Sequence, residues 1–159
     1  MHRTRGLKDW NIVPLEVVGG YPLHSILFYV KAAHDAHLAL LSTDAICSPM
    51  IEIELGSRYN TRNIIRLNET LPNKVDVETH GIFSENEFLC FAILFRSNLI
   101  EVYAKGVSVP FMSWENCEDP FQVTHFAYTT ALGAVGEWVF IDGGICQNID
   151  DGIDKNFDS

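Results

Sequence analysis

The sequence predicts an all-β fold, an antiparallel two-sheet β-sandwich or jelly roll of about nine or ten strands. Three observations carry this. Short apolar segments recur at spacings of roughly 8 to 12 residues, separated by Gly-, Pro-, Asn- and Asp-rich turns. Within the segments apolar residues alternate with polar ones, the period-two signature of a strand with one buried face. No stretch carries the 3.6-residue periodicity of an amphipathic helix of useful length.

Residues 1–11 read as a loose N-terminal arm, 12–141 as one domain, and 142–159 as a Gly- and Asp-rich acidic tail expected to be disordered. A first strand is expected over residues 12–18, ended by Gly19-Gly20-Tyr21-Pro22. Residues 26–32 alternate, and 36–41 form a continuous apolar run that fits a buried strand or one helical turn. Residues 50–55 set Ile51, Ile53 and Leu55 against Glu52 and Glu54, a strand with one face buried. Strands follow over 62–67 and 75–80, then the strongly apolar 88–95, which Arg96-Ser97-Asn98 turns back into 99–104 as a hairpin. Residues 107–114 make a short irregular edge confined by Pro110. The organising stretch is 121–140: two apolar strands, 121–129 and 136–140, joined by a small-residue turn. Trp138 and Phe140 present two large rings on one face, enough area to anchor a core.

Bulk properties bound the function. A chain of 159 residues, 47% hydrophobic and 20% charged, is globular and long enough to bury a core without staples. A net charge of −10 argues against nucleic acid, whose phosphates call for clustered Lys and Arg, and against an anionic membrane surface. No apolar run reaches the ~18 residues of a membrane span. With Met1 as the native start the chain is expected in the cytoplasm; as a mature fragment it would be secreted. Cys47, Cys90, Cys117 and Cys146 are far apart with no C-x-x-C pair; an even number permits two disulfides in three connectivities, while the lack of a signal-peptide pattern favours reduced thiols. Asn68-Glu69-Thr70 is a glycosylation sequon, meaningful only if the chain is secreted.

Candidate chemistry is sparse. His34-Asp35-Ala36-His37 brings two imidazoles and a carboxylate together. On a helix, residues three apart share a face and suit a metal; the strand-like context sets them apart and assigns Asp35 to turn chemistry, so no metal site is assigned. Arg58, Arg62 and Arg66 lie four apart, and strand alternation places them on one face with Asn60. Guanidinium groups beside an amide suit a carboxylate or sugar oxygens, or they simply balance charge on an acidic surface. Trp114, Tyr59, Tyr103 and Tyr128 are rings that either stack on a sugar or isoprenoid or fill the core. There is no nucleophile elbow and no P-loop, and neither glycine pair precedes a helix as dinucleotide binding requires.

Several motifs, in order, resemble the farnesoic acid O-methyltransferase-like domain. They are Val30-Lys31-Ala32-Ala33-His34-Asp35-Ala36-His37-Leu38-Ala39-Leu40, Ile51-Glu52-Ile53-Glu54-Leu55-Gly56 and Asn60-Thr61-Arg62-Asn63-Ile64-Ile65-Arg66. Pro110-Phe111-Met112-Ser113-Trp114 and Gly133-Ala134-Val135-Gly136-Glu137-Trp138-Val139-Phe140 complete the set, so the resemblance spans residues 25–141. The chain departs from the family after Gly56, where a tryptophan is usual and Ser57-Arg58-Tyr59 stands, and at Ala131 or Leu132, where an aromatic is common. The resemblance implies two activities. The family name implies methyl transfer from S-adenosylmethionine to farnesoic acid, a step toward juvenile hormone in arthropods; His34 or His37 would then be the base and Arg62 or Arg66 the carboxylate clamp. In multidomain relatives the domain looks like a β-sandwich recognition module. The residues favour the second: a non-catalytic, cofactor-free module for a glycan, a small apolar carboxylate or a protein partner. Arg58, Asn60, Arg62 and Arg66 would supply polar contacts, with Trp114 as an apolar platform. A structural or oligomerising domain pairing through open sheet edges is the third reading.

Overall fold

A computed structural model describes residues 9–141. In chain order the strands are β1 (Asn11–Pro14), β2 (Val17–Val18), β3 (Tyr21–Pro22), β4 (Ser25–Lys31), β5 (Ala36–Leu41), β6 (Met50–Gly56), β7 (Arg62–Leu67), β8 (Val75–Glu78), β9 (Leu89–Arg96), β10 (Leu99–Ala104), β11 (Met112–Glu115), β12 (His125–Thr130) and β13 (Glu137–Phe140). They form a six-stranded sheet ordered β1-β12-β5-β6-β7-β8, a five-stranded sheet ordered β11-β10-β9-β4-β13, and the small β2-β3 ribbon. Every pairing is antiparallel. The fold is therefore the expected all-β sandwich.

Alternation decides what each sheet presents. Ala36, Leu38 and Leu40 of β5, Ile51, Ile53 and Leu55 of β6 and Ile65 and Leu67 of β7 face inward. They meet Ile26, Phe28 and Val30 of β4, Phe91, Ile93 and Phe95 of β9, and Ile100 and Val102 of β10. Phe28, Leu38, Ile53, Ile93 and Val102 are fully buried. Burial of a side chain of this size contributes about 1.5–3 kcal/mol, so this one layer dominates stability. A second apolar patch lies on the outer face of the larger sheet, where Ala39, Leu41, Met50 and Ala127 are covered by Trp10 and Ile46.

The expected pair of strands in 121–140 is split between the sheets. β12 pairs with β5 and β1, whereas β13 pairs with β4, so the turn over 130–136 is a crossover and not a hairpin. Ring packing accounts for this. Phe126 and Phe140 lie 5.1 Å apart, Tyr128 and Trp138 5.1 Å, and Tyr128 and Phe140 4.7 Å, a geometry that needs the two strands face to face across the sandwich. The anticipated strand over 12–18 is also broken in two. Pro14 has no N–H for a further ladder bond, and Leu15 turns inward, donating its N–H to Thr124 O at 2.9 Å. The chain then turns through Gly19 and Gly20, at φ 63° and 85°, into the β2-β3 ribbon. Asn11, assigned to the arm by sequence, already pairs with Tyr128 in β1. The tail at 142–159 and most of the arm lie outside the described residues.

Candidate functional site

The outer face of the larger sheet concentrates the charge. Register sets His37 of β5 opposite Glu54 of β6, Glu52 opposite Arg66 of β7, and Arg62 opposite Glu78 of β8. Arg66 donates from Nη1 to Glu54 Oε2 at 3.2 Å and from Nε to Asn73 Oδ1 at 3.0 Å, and its Nη1 lies 3.9 Å from Glu52 Oε1. Arg62 holds Asp76 Oδ1 through Nε at 2.8 Å and Nη2 at 2.7 Å, with Glu78 at 3.7 Å. Glu52 and Glu54, expected on a solvated face, are both buried. Their cover is polar: Arg66 on one side, His37 on the other, and Ser57 Oγ donating to Glu54 Oε1 at 3.2 Å.

The His34-Asp35-Ala36-His37 segment is a built feature. Asp35 sits in the left-handed region at φ 55° and is buried. Its Oδ2 accepts from His34 Nδ1 at 2.7 Å and its Oδ1 from His37 Nε2 at 3.0 Å. Burial pushes the Asp35 carboxyl up, but the hydrogen bonds from His37 and His34 and their charge outweigh it and hold the carboxyl below its usual range. The Asp35 backbone is turn-like, but its carboxylate holds imidazoles in place of the local backbone bonds that turn chemistry implies; its N–H donates to Gly56 O and its carbonyl accepts from the Ala131 N–H.

Arg58 and Asn60 do not join the Arg62–Arg66 face. The segment Ser57–Asn60 is one left-handed turn, with Arg58, Tyr59 and Asn60 at φ 51°, 62° and 66°. Strand alternation therefore begins only at Arg62. Left-handed backbone costs a non-glycine residue about 1–2 kcal/mol, so its surroundings must hold the turn. Asn60 does this: Nδ2 donates to Phe83 O at 3.0 Å and Oδ1 accepts from Phe83 N at 3.2 Å. The Gly81 N–H adds a bond to Asn60 O, the Thr61 N–H one to Ser57 O, and Ser57 bridges to Arg62 to close the β6–β7 hairpin. The turn presents Tyr59, 92% exposed, and Arg58 to solvent. Trp114 stands on the other sheet, beside Ile100, half-buried against the core. Of the aromatic candidates, Tyr128 is also packed in the core.

Sequence reasoning missed a second feature. A cavity of about 490 Å³ is lined by Tyr29, Ile82, Phe88, Phe91, Phe111 and Lys105, among others. Its walls are aromatic and aliphatic, and Lys105 adds a cation. Nearby, the Lys31 ammonium lies 5.0 Å from the Phe88 ring centroid. The residues come from β4, β9, β10 and the connecting loops, so no local pattern announces them. The sequon asparagine Asn68 accepts from the Met50 N–H at 2.8 Å and donates to Asp119 Oδ2 at 3.1 Å. Cys47 and Cys117 are free and exposed, and Cys90 is buried. Among the described residues no helix is long and apolar enough to cross a membrane.

Solved structures with the same fold include a native glycosidic hydrolase, at 14% identity, TM-score 0.50, 82% of this chain and 76% of that one. A tetrameric galectin from the ball sponge Cinachyrella matches at 13% identity and TM-score 0.50 over 84% of this chain and 96% of its own. A Bacillus licheniformis beta-glucanase matches at 13% identity and TM-score 0.50 over 82% of this chain and 67% of its own. At such identities the likeness is one of fold. No curated protein sequence matches the chain. The family model described as "Farnesoic acid 0-methyl transferase" matches residues 11–143, nearly the whole described sandwich, and the chain accordingly belongs to that family.

Proposed function

We propose that the chain is a non-catalytic recognition module that binds a glycan at the β6–β7 hairpin turn and the adjoining Arg62–Arg66 face. The observation that carries this is the strained turn. Three left-handed residues in succession hold an almost fully exposed tyrosine away from the core, pinned beneath by the Asn60–Phe83 bonds. A ring held out from a backbone fixed in this way offers an open stacking face, and Arg58 and the Arg62–Asp76 pair offer donors and acceptors for hydroxyls. Tyr59 takes the platform role that the sequence had suggested for Trp114. That two fold neighbours are named as a galectin and a beta-glucanase supports the ligand class.

Calorimetry of the full chain against a glycan panel tests the reading, with Tyr59→Ala and Arg62→Ala alongside. Loss of the ring weakens the best ligand roughly tenfold, since an aromatic contact contributes about 0.5–1.5 kcal/mol beyond its area. Unchanged affinity in both variants, at unchanged melting temperature, overturns it.

The cavity favours a second reading, a small apolar carboxylate. Its volume of about 490 Å³ and its aromatic walls suit a short isoprenoid chain, with Lys105 for the acid. Displacement of a fluorescent fatty acid by farnesoic acid, weakened in Lys105→Met, would favour it over the glycan. The family name carries a third reading, O-methyl transfer from S-adenosylmethionine. Methyl ester formed from farnesoic acid on supplying both reactants would replace the non-catalytic reading; neither binding nor turnover would leave it standing.

A further inference from the structure

We propose that His37, Glu52 and Glu54 form a divalent-metal site, with Asp35 as the carboxylate that orients the imidazole. Arg66 borders both this site and the proposed glycan face, but the metal ligands themselves take no part in the glycan reading. Antiparallel register places His37 opposite Glu54, and Glu52 lies two residues away on the same strand face. One ligand atom from each of the three lies within 4.8 Å of the other two.

The imidazole is the telling group. The His37 side chain is only 3% exposed, and its Nδ1, although buried, has no hydrogen-bond partner. Nε2 is bound to Asp35 Oδ1 at 3.0 Å. A carboxylate accepts, so Nε2 carries a hydrogen, and in the Nε2–H tautomer the ring presents a lone pair at Nδ1. That lone pair faces Glu52 Oε2 at 3.8 Å. At this separation the two are beyond hydrogen-bond range, and they lie roughly 0.4 Å wider than adjacent ligands of a tetrahedral ion with bonds of about 2.0–2.2 Å. Side-chain contraction on metal entry, largest across the widest pair, closes the set.

Charge agrees. Three carboxyl groups, on Asp35, Glu52 and Glu54, meet one guanidinium, Arg66, and the imidazole of His37. Arg66 reaches the same carboxylates from the β7 side while His37 faces them from β5. A carboxylate behind a ligating histidine is the usual outer support of a metal ligand, fixing tautomer and ring orientation. One imidazole with two carboxylates suits Zn²⁺, Mn²⁺ or Co²⁺ better than Ca²⁺ or Mg²⁺, which favour all-oxygen sets.

The test titrates Zn²⁺ and Mn²⁺ into the chelator-stripped full chain by calorimetry, with Ca²⁺ as comparison. One saturable equivalent of Zn²⁺ or Mn²⁺ is expected, with a melting temperature that rises with metal concentration. Glu54→Gln should weaken binding at least ~100-fold, and Asp35→Asn by about 10–100-fold. Because buried substitutions can unfold the chain, the wild type supplies a further readout: the His37 Nδ1 nitrogen resonance should shift on adding Zn²⁺. No saturable binding in the wild type overturns the site. So does an affinity unchanged in folded Glu54→Gln, which would put the ion elsewhere, or a His37 resonance that shows protons on both nitrogens and ignores Zn²⁺.

Discussion

Gly56→Ala is expected to destabilise the sandwich far more than its size suggests. Gly56 ends β6 at φ 68°, where an L-residue costs about 1–2 kcal/mol. A Cβ there would also stand 2.5 Å from Phe83 Cδ2 and 2.8 Å from its Cε2. Phe83 cannot retreat freely, because it is buried, packs edge-on against Phe91 at 5.4 Å and is held through its backbone by Asn60. Overpacking of this kind adds about 1–3 kcal/mol. The total, roughly 2–5 kcal/mol, corresponds to a melting-temperature drop of about 4–20 °C for a chain of this size. Urea and thermal unfolding followed by circular dichroism measure it. Gly133→Ala is the control: φ there is 88°, but nothing lies within 4 Å of the added carbon, so it carries the backbone cost alone. The difference between the two variants isolates the Phe83 clash, and Phe83→Leu in the Gly56→Ala background should recover part of the loss. Equal effects for Gly56→Ala and Gly133→Ala would refute the claim that Phe83 and Gly56 lock the turn.

Other expectations follow from the same packing. Tyr59→Gly should raise stability by up to ~1 kcal/mol in denaturant unfolding, since glycine adopts φ 62° without strain, while glycan affinity falls as in Tyr59→Ala. Phe28→Ala should cost about 3–5 kcal/mol by the same assay, because Phe28 is fully buried among Phe91, Trp138 and Phe140. The two sheet arginines should differ: Arg62→Ala costs less than ~1 kcal/mol, its partners being solvated. Arg66→Ala costs roughly 3 kcal/mol, because it withdraws a cation from carboxylates that are themselves buried. Matched losses in a paired thermal melt would count against the difference in burial.

The strands of this protein are legible because alternation is local. Ile51, Ile53 and Leu55 must share a face whatever the rest of the chain does, as must Trp138 and Phe140. Antiparallel layering follows from short apolar segments without helices between them. What alternation cannot state is which sheet a strand joins, or what lies over its outward face. β12 and β13 look like neighbours in sequence and stand in opposite sheets, because their rings fill the gap between layers better than either would fill a hairpin. Glu52 and Glu54 read as solvated until Arg66 and His37, brought in by pairing on either side, enclose them. Arg58 and Asn60 read as strand residues until the left-handed turn removes them. Sequence by itself determined the period-two faces and hence the sandwich. Only tertiary structure decided the buried acid–histidine cluster, the exposed Tyr59 and the apolar cavity, because each is made by side chains that meet through strand pairing and layer packing, at distances that no local pattern encodes.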